Sequence, residues 1–209
     1  MNWKNLGIRS FYALLGVFIL GFGAALLRVS QVGLDPFTAA NIGVGSKIGL
    51  SLGTYQLALN VLILSLVYIF GRKYIGIGTV INMVLTGFFI DFFTWLLTSY
   101  FSLSITLITQ SLLLIFGVLI FTFGASFYMA AQLGNAPYDA IAPILVDRTG
   151  LNFRVIRVMQ DVLFMLIAFL FGGPVGIATI INAFFTGPFI SFWDKKISKP
   201  LIEKSLMKQ

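Results

Sequence analysis

Cysteine and histidine are both absent from the 209 residues. Without cysteine there is no structural disulfide, no thiol nucleophile and no thiolate metal site. Without histidine the chain lacks the commonest metal ligand and the usual proton carrier near neutral pH. Charge is scarce as well: only 10% of the residues are charged, seven acidic against fourteen basic. Much enzyme chemistry is thereby excluded, and no enzymatic activity, catalytic residue, metal or cofactor is expected. No GxxxxGK[ST] loop occurs, so any direct drive by ATP would require a separate subunit. An intramembrane hydrolase ranks last among the function classes, because no serine and base stand at a recognisable spacing.

What is present is apolar. Hydrophobic residues make up 58% of the chain, phenylalanine occurs 22 times and glycine 21 times, and the mean hydropathy is +0.98. That is far more apolar surface than a soluble domain buries, so the expected class is an integral membrane protein. Runs long enough to cross about 30 Å of hydrocarbon at about 1.5 Å per residue lie near residues 11–31, 53–70, 76–98, 107–131, 153–171 and 175–193. Six spans are therefore predicted. The first run ends in LLRVSQVG without an A-x-A pattern, which predicts that it is retained rather than cleaved as a signal.

The basic balance, with a pI near 9.8, would suit nucleic acid, but the basic residues sit at span ends and in the tail. That is the positive-inside pattern of a membrane protein, and no nucleic acid is expected. Six crossings with both termini cytoplasmic place Lys4, Arg9, Arg72, Lys73, Arg148, Arg154, Arg157, Lys195, Lys196, Lys199, Lys204 and Lys208 inside, and only Arg28 and Lys47 outside. The expected organisation is a cytoplasmic N-terminus (1–10), a first three-span unit (11–98), an outer connection (99–106), a second three-span unit (107–194) and a basic cytoplasmic tail (195–209). The lipid bilayer is the expected partner, with anionic headgroups within reach of the tail.

The chain also matches itself. GIGTVINMVLTGFFIDF from Gly76 returns as GIATIINAFFTGPFISF from Gly176, with ten identities in seventeen positions. Upstream, Phe22, Gly23, Ala24, Gln31, Gly33, Pro36, Ala39, Gly49 and Leu50 meet Phe123, Gly124, Ala125, Gln132, Gly134, Pro137, Ala140, Gly150 and Leu151. After the first span of each unit comes a turn and a short segment, Pro36 to Lys47 and Pro137 to Arg148, which as a helix reaches only about 18 Å. Each is read as a short helix started by proline, whose missing N–H costs nothing in a first turn, after a glycine that permits the bend. Three crossings per unit is odd, so the second unit enters the membrane upside down. The expected fold is an all-α polytopic membrane bundle of six spans in two inverted three-span repeats. An eight-span reading gives nearly the same charge split; the length of the short segments separates the two.

Polar residues inside apolar runs need a reason. Thr79, Asn82 and Thr86 share one helix face, and Thr179, Asn182 and Thr186 repeat it; such a stripe either bonds between helices or lines a cavity. Gln56 and Asn60 in the second span correspond to Arg157 and Asp161 in the fifth, each pair one helical turn apart. Asp161 lies too deep to reach water and is either half of a structural ion pair or a functional carboxylate. Asp91, replaced by Ser191 in the second copy, reads as interfacial. The expected solute-binding set is Gln56, Asn60, Asn82, Thr86, Arg157, Asp161, Asn182 and Thr186. The expected gating turns hold Asp35, Pro36, Asn135, Pro137 and Asp139. Asp35 and Asp139 also stand where acids cap helix N-termini.

The duplicated G-x-x-P-[FY] turns, the repeated G-[IV]-[GA]-T-[VI]-I-N-x-x-x-T-G and the six-span length near 200 residues resemble the YczE/YyaS/YitT group of bacterial membrane proteins, most of all its YczE-like branch. The resemblance covers nearly the whole chain. It implies a bacterial plasma-membrane location and carries over no catalytic residues; the first turn reads DPF and the second APY, so an acid before proline is not common to both. The leading functional expectation is a transporter or permease for a small polar solute, anionic or zwitterionic, with a midplane site between the repeats; a homodimer would suit a chain of six spans. The alternatives are a solute-binding subunit of a multi-component transporter and a non-transporting membrane partner.

Overall fold

The computed structural model describes residues 3–101 and 104–207, and throughout them the ordered elements are helical. Ser102 and Leu103 of the expected connection, Lys208 of the basic set and the extreme terminal residues lie outside the described residues. The helices are α1 Trp3–Val29, α2 Pro36–Lys47, α3 Leu52–Phe70, α4 Ile77–Tyr100, α5 Leu107–Ala130, α6 Pro137–Thr149, α7 Phe153–Leu170, α8 Ile177–Trp193 and α9 Lys199–Met207. A single 3₁₀ turn, Arg72–Tyr74, precedes α4, and a π-helical turn, Asp194–Ser198, joins α8 to α9.

Local chemistry sets most of the starts. Ser51, Thr106 and Asn152 accept a hydrogen bond from a first-turn N–H of α3, α5 and α7. α2 and α6 begin at proline. At α4 and α8 a glycine backbone N–H donates to a threonine three residues on, Gly76 to Thr79 at 3.0 Å and Gly176 to Thr179 at 3.1 Å. The upper threonines of the two polar stripes therefore serve as caps.

Among the described residues, four helices, α1, α3, α4 and α5, are long and apolar enough to cross a membrane. The other two expected spans form α7, 18 residues that include Arg154, Arg157 and Asp161, and α8, 17 residues. At about 1.5 Å per residue these reach about 27 and 25 Å. Residues 3–10 continue α1, since WKNLGIRS holds no proline and its single glycine is tolerated within a helix. Within the basic tail, α9 is docked on the bundle: Ile202 is buried, Ser198 and Ser126 share a 2.6 Å hydrogen bond, and the Tyr12 and Ser205 hydroxyls meet at 2.8 Å.

The centre is the crossing of α1 and α5. A methyl group added at Gly16 would come within 2.5 Å of the Tyr128 nitrogen and 2.7 Å of the Gly124 oxygen, and Gly23 abuts Phe121 and Gly117. Rising residue numbers on α1 meet falling numbers on α5, so the two helices run antiparallel at small-residue contacts that let the backbones touch. Around this crossing α4 packs on α1 and α8 on α5, while α2 packs on α7 and α6 on α3. Each short helix thus rests on a long helix of the other half.

Candidate functional site

The two proline turns are docked reciprocally. In the first, Leu34 N–H donates to the Pro174 oxygen at 3.2 Å and the Val32 oxygen accepts from Ala178 N–H at 2.9 Å. In the second, Asn135 N–H donates to the Tyr74 oxygen at 2.9 Å and the Leu133 oxygen accepts from Gly78 N–H at 2.8 Å. Gly33 and Gly134 sit at φ 96° and 101°, a region open to glycine and strained for other residues. A Cβ on either would stand 2.5 Å from the nitrogen of Gly176 or Gly76.

These turns bring the starts of α2 and α6 face to face. The Phe37 and Tyr138 rings stack with centroids 4.3 Å apart and planes 23° apart, and Phe164 of α7 packs edge-on against Tyr138 at 5.0 Å. The polar core of the junction grows from Tyr138. Its hydroxyl donates to Asp161 Oδ1 at 2.7 Å, and Gln160 Nε2 donates to its backbone oxygen at 2.9 Å. Arg157 reaches two carboxylates: Nε donates to Asp161 Oδ2 at 3.2 Å and Nη1 to Asp139 Oδ1 at 2.7 Å. The guanidinium carbon lies 5.0 Å from the Tyr138 ring centroid. Burial is graded along this chain of contacts: the side chain of Asp161 is 5% exposed, that of Arg157 32% and that of Asp139 45%.

The two acids at the helix starts behave differently. Asp35 Oδ1 accepts from Thr38 N–H at 2.9 Å and caps α2. Asp139 turns to Arg157, and Ala136 at the N-cap of α6 offers no side-chain acceptor. Beside this second turn is a cavity of about 320 Å³ whose lining includes Lys73, Tyr74, Gln132, Asn135, Ala136 and Asp139. At the first turn the residues aligned with Asn135 and Asp139 are Leu34 and Thr38, both buried.

The remaining expected solute residues divide. Gln56 and Asn60 of α3, Asn82 and Thr86 of α4 and Asn182 of α8 are all buried. Gln56 Oε1, Asn60 Oδ1, Thr86 Oγ1, Gln160 Oε1 and both amide atoms of Asn182 have no protein hydrogen-bond partner. A buried polar atom left so costs about 1–3 kcal/mol, which favours water or a ligand beside it. A Cβ at Gly87 would lie 3.4 Å from Gln56 Oε1, which places that amide against α4 next to Thr86. Thr186 is spent locally, its hydroxyl donating to the Asn182 oxygen at 2.6 Å. Of the expected solute set the structure joins Arg157 and Asp161 by a direct bond, and adds to them Asp139 of the expected gating turn.

Sequence reading missed Tyr138 as a site residue; its alignment with Phe37 hid the one hydroxyl that singles it out. It also missed the role of Asp91, which pairs with Arg28 at 2.7 Å and accepts from Gly53 N–H at 2.7 Å, tying α1 and the start of α3 to α4. Outside the junction, Asp147 joins Lys73 at 2.8 Å and Tyr74 at 2.7 Å. The Lys73 ammonium, followed by the Tyr74 hydroxyl, holds the Asp147 carboxyl below its ordinary range.

Similar proteins match this chain over most of their length. The uncharacterized membrane protein YczE of Bacillus subtilis (strain 168) is 30% identical over 190 residues, 90% of this chain and 86% of that protein. The uncharacterized protein YyaS of the same strain is 25% identical over 193 residues, 92% and 93% of the two chains. An uncharacterized protein of Haemophilus influenzae is 26% identical over 180 residues, 86% and 80% of the two. No solved structure matches. The model of a family of unknown function, DUF6198, matches residues 7–195, and with its apolar helices and its likeness to YczE, this chain is a helical membrane protein that belongs to that family.

Proposed function

We propose that the protein is a permease of the bacterial plasma membrane that moves a small polar solute through a midplane site at the α2–α6 junction. In this reading α7 and α8 complete six spans, both termini are cytoplasmic, and the two halves lie inverted about the α1–α5 crossing. The antiparallel crossing and the exchanged turn contacts support the inversion. One observation carries the functional part. The Tyr138–Asp161–Arg157–Asp139 chain runs from a buried carboxylate to a cavity at one turn, while the matching residues of the other turn are packed shut. A site reached from one side only is what alternating access requires of each of its end states. Gln56, Asn60, Asn82, Thr86 and Asn182 are the further lining residues. The intramembrane position of Asp161 makes it a functional carboxylate by default.

The test is tracer exchange by purified protein in liposomes, screened across solute classes, with Asp161→Asn as control. Exchange that disappears in a folded Asp161→Asn protein supports the permease. Loss of folding alone marks the pair as structural. Absence of exchange together with co-purification of an ATPase would point to a binding subunit, and unchanged cellular uptake on deletion would point to an accessory partner. Impermeant labelling that places Arg72 and Arg148 on opposite sides would overturn the inversion.

A further inference from the structure

Resting on the permease reading, we propose that the junction is a receptor for a small organic cation, a protonated amine or guanidine, and that the guanidinium of Arg157 fills it as a built-in surrogate when no such solute is bound. Two carboxylates and one aromatic face converge on a single planar cation: Asp139 Oδ1 at 2.7 Å, Asp161 Oδ2 at 3.2 Å and the Tyr138 ring at 5.0 Å. That is the donor set by which proteins hold ammonium and guanidinium groups.

Charge points the same way. The ionisable groups at the site are Asp139 and Tyr138 from α6 and Asp161 and Arg157 from α7, and Lys73, paired with Asp147, lines the adjoining cavity. α8 contributes no ionisable residue. The one cation of Arg157 is thus shared between two carboxylates, Asp139 and Asp161, for which a second cation can compete. A second observation lies beside them. Gln160 is 8% exposed, anchors the Tyr138 backbone through Nε2 and keeps a buried Oε1 with no protein partner, an acceptor suited to an N–H of the ligand.

The fold does not demand this arrangement. The aligned positions in the first half are Phe37, Thr38, Gln56 and Asn60, without charge, and all four are buried. Arg157 is the one member able to leave. It sits on a long side chain that is 32% exposed, and its partner Asp139 lines the cavity of about 320 Å³, room enough for a ligand of this size.

The experiment is binding of methylguanidinium and ethylammonium to purified full-length protein, read as a shift of thermal unfolding against sodium chloride of equal ionic strength. Saturable stabilisation is expected in the unsubstituted protein. Removal of the internal competitor in Arg157→Ala is expected to tighten methylguanidinium binding about tenfold, since the competent site is then always populated. Equal or weaker binding in folded Arg157→Ala overturns the proposal, as does the lack of any saturable shift. Should Arg157→Ala fail to fold, Asp139→Asn decides: binding weakened about tenfold supports the receptor, and unchanged binding sinks it. The two readings fail separately. Exchange of some other solute with no cation binding leaves the permease standing, whereas cation binding without exchange of any solute leaves a receptor and removes the permease.

Discussion

The two proline turns share a backbone and differ in chemistry. Gln31 and Gln132 both take the left-handed conformation, at φ 60° and 53°, and the glycines two residues on lie at 96° and 101°. The N-cap residues are extended alike, Asp35 at φ −61°, ψ 151° and Ala136 at φ −57°, ψ 148°. On this common frame the first turn carries Asp35, which caps its own helix, between Leu34 and Thr38, which are buried. The second carries Asn135, Ala136 and Asp139, with its acid turned to Arg157 and a cavity alongside. The backbone is what the interlock of the halves requires, so it is kept twice. The side chains are free of that demand, and they are where the two ends of the molecule part.

The sharpest way to break the comparison is to crowd both frames. Gly33→Ala and Gly134→Ala should each cost about 2–4 kcal/mol, from the positive φ and from a methyl forced onto Gly176 or Gly76. Thermal unfolding in detergent reads this; a large loss at one turn beside none at the other would end the equivalence. Next, Tyr138→Phe gives the second turn the ring of the first. It removes the hydroxyl from Asp161 and should lower stability by about 1 kcal/mol, while tracer exchange falls. Wild-type exchange by the variant would take Tyr138 out of the site.

Exchanging the caps sharpens the contrast further. Asp35→Ala should cost about 1 kcal/mol, and Ala136→Ser, which supplies the acceptor that α6 lacks, should add about 0.5 kcal/mol or slightly more. Asp139→Ala should leave the start of α6 unaffected yet alter solute exchange, because its carboxylate serves Arg157. The smallest effect belongs to Asp147. Its carboxyl is held below the ordinary value, so its contribution is present above the unfolded-state pKa and fades as pH falls through the lowered folded one. Asp147→Asn should flatten the acid side of a stability–pH curve slightly, since Lys73 and Tyr74 meet it in solvent.

Much of the local architecture could be read from the letters. The short helices begin at Pro36 and Pro137, where proline and the preceding glycine dictate a bend and a start. The Asp35 cap is a first-turn contact, and Arg157 with Asp161 is a pair one turn apart on one helix. The charges in α7 also explain why it falls outside the helices apolar enough to cross by composition alone. Other contacts have no local signature. Asp139 finds Arg157 across 18 positions, Tyr138 finds Asp161 across 23 and Arg28 finds Asp91 across 63.

The sequence by itself determined that the chain is apolar and helical, where its helices bend and begin, and which polar side chains had to be buried inside apolar runs. Periodicity and capping act within a turn or two of the backbone, so they are written in neighbouring residues. Only the tertiary structure decided that Asp35 caps while Asp139 leaves its helix for Arg157, and that one turn closes while its counterpart faces a cavity. Those outcomes depend on which helices pack together, and that is settled by small-residue crossings and exchanged turn contacts between segments about a hundred residues apart.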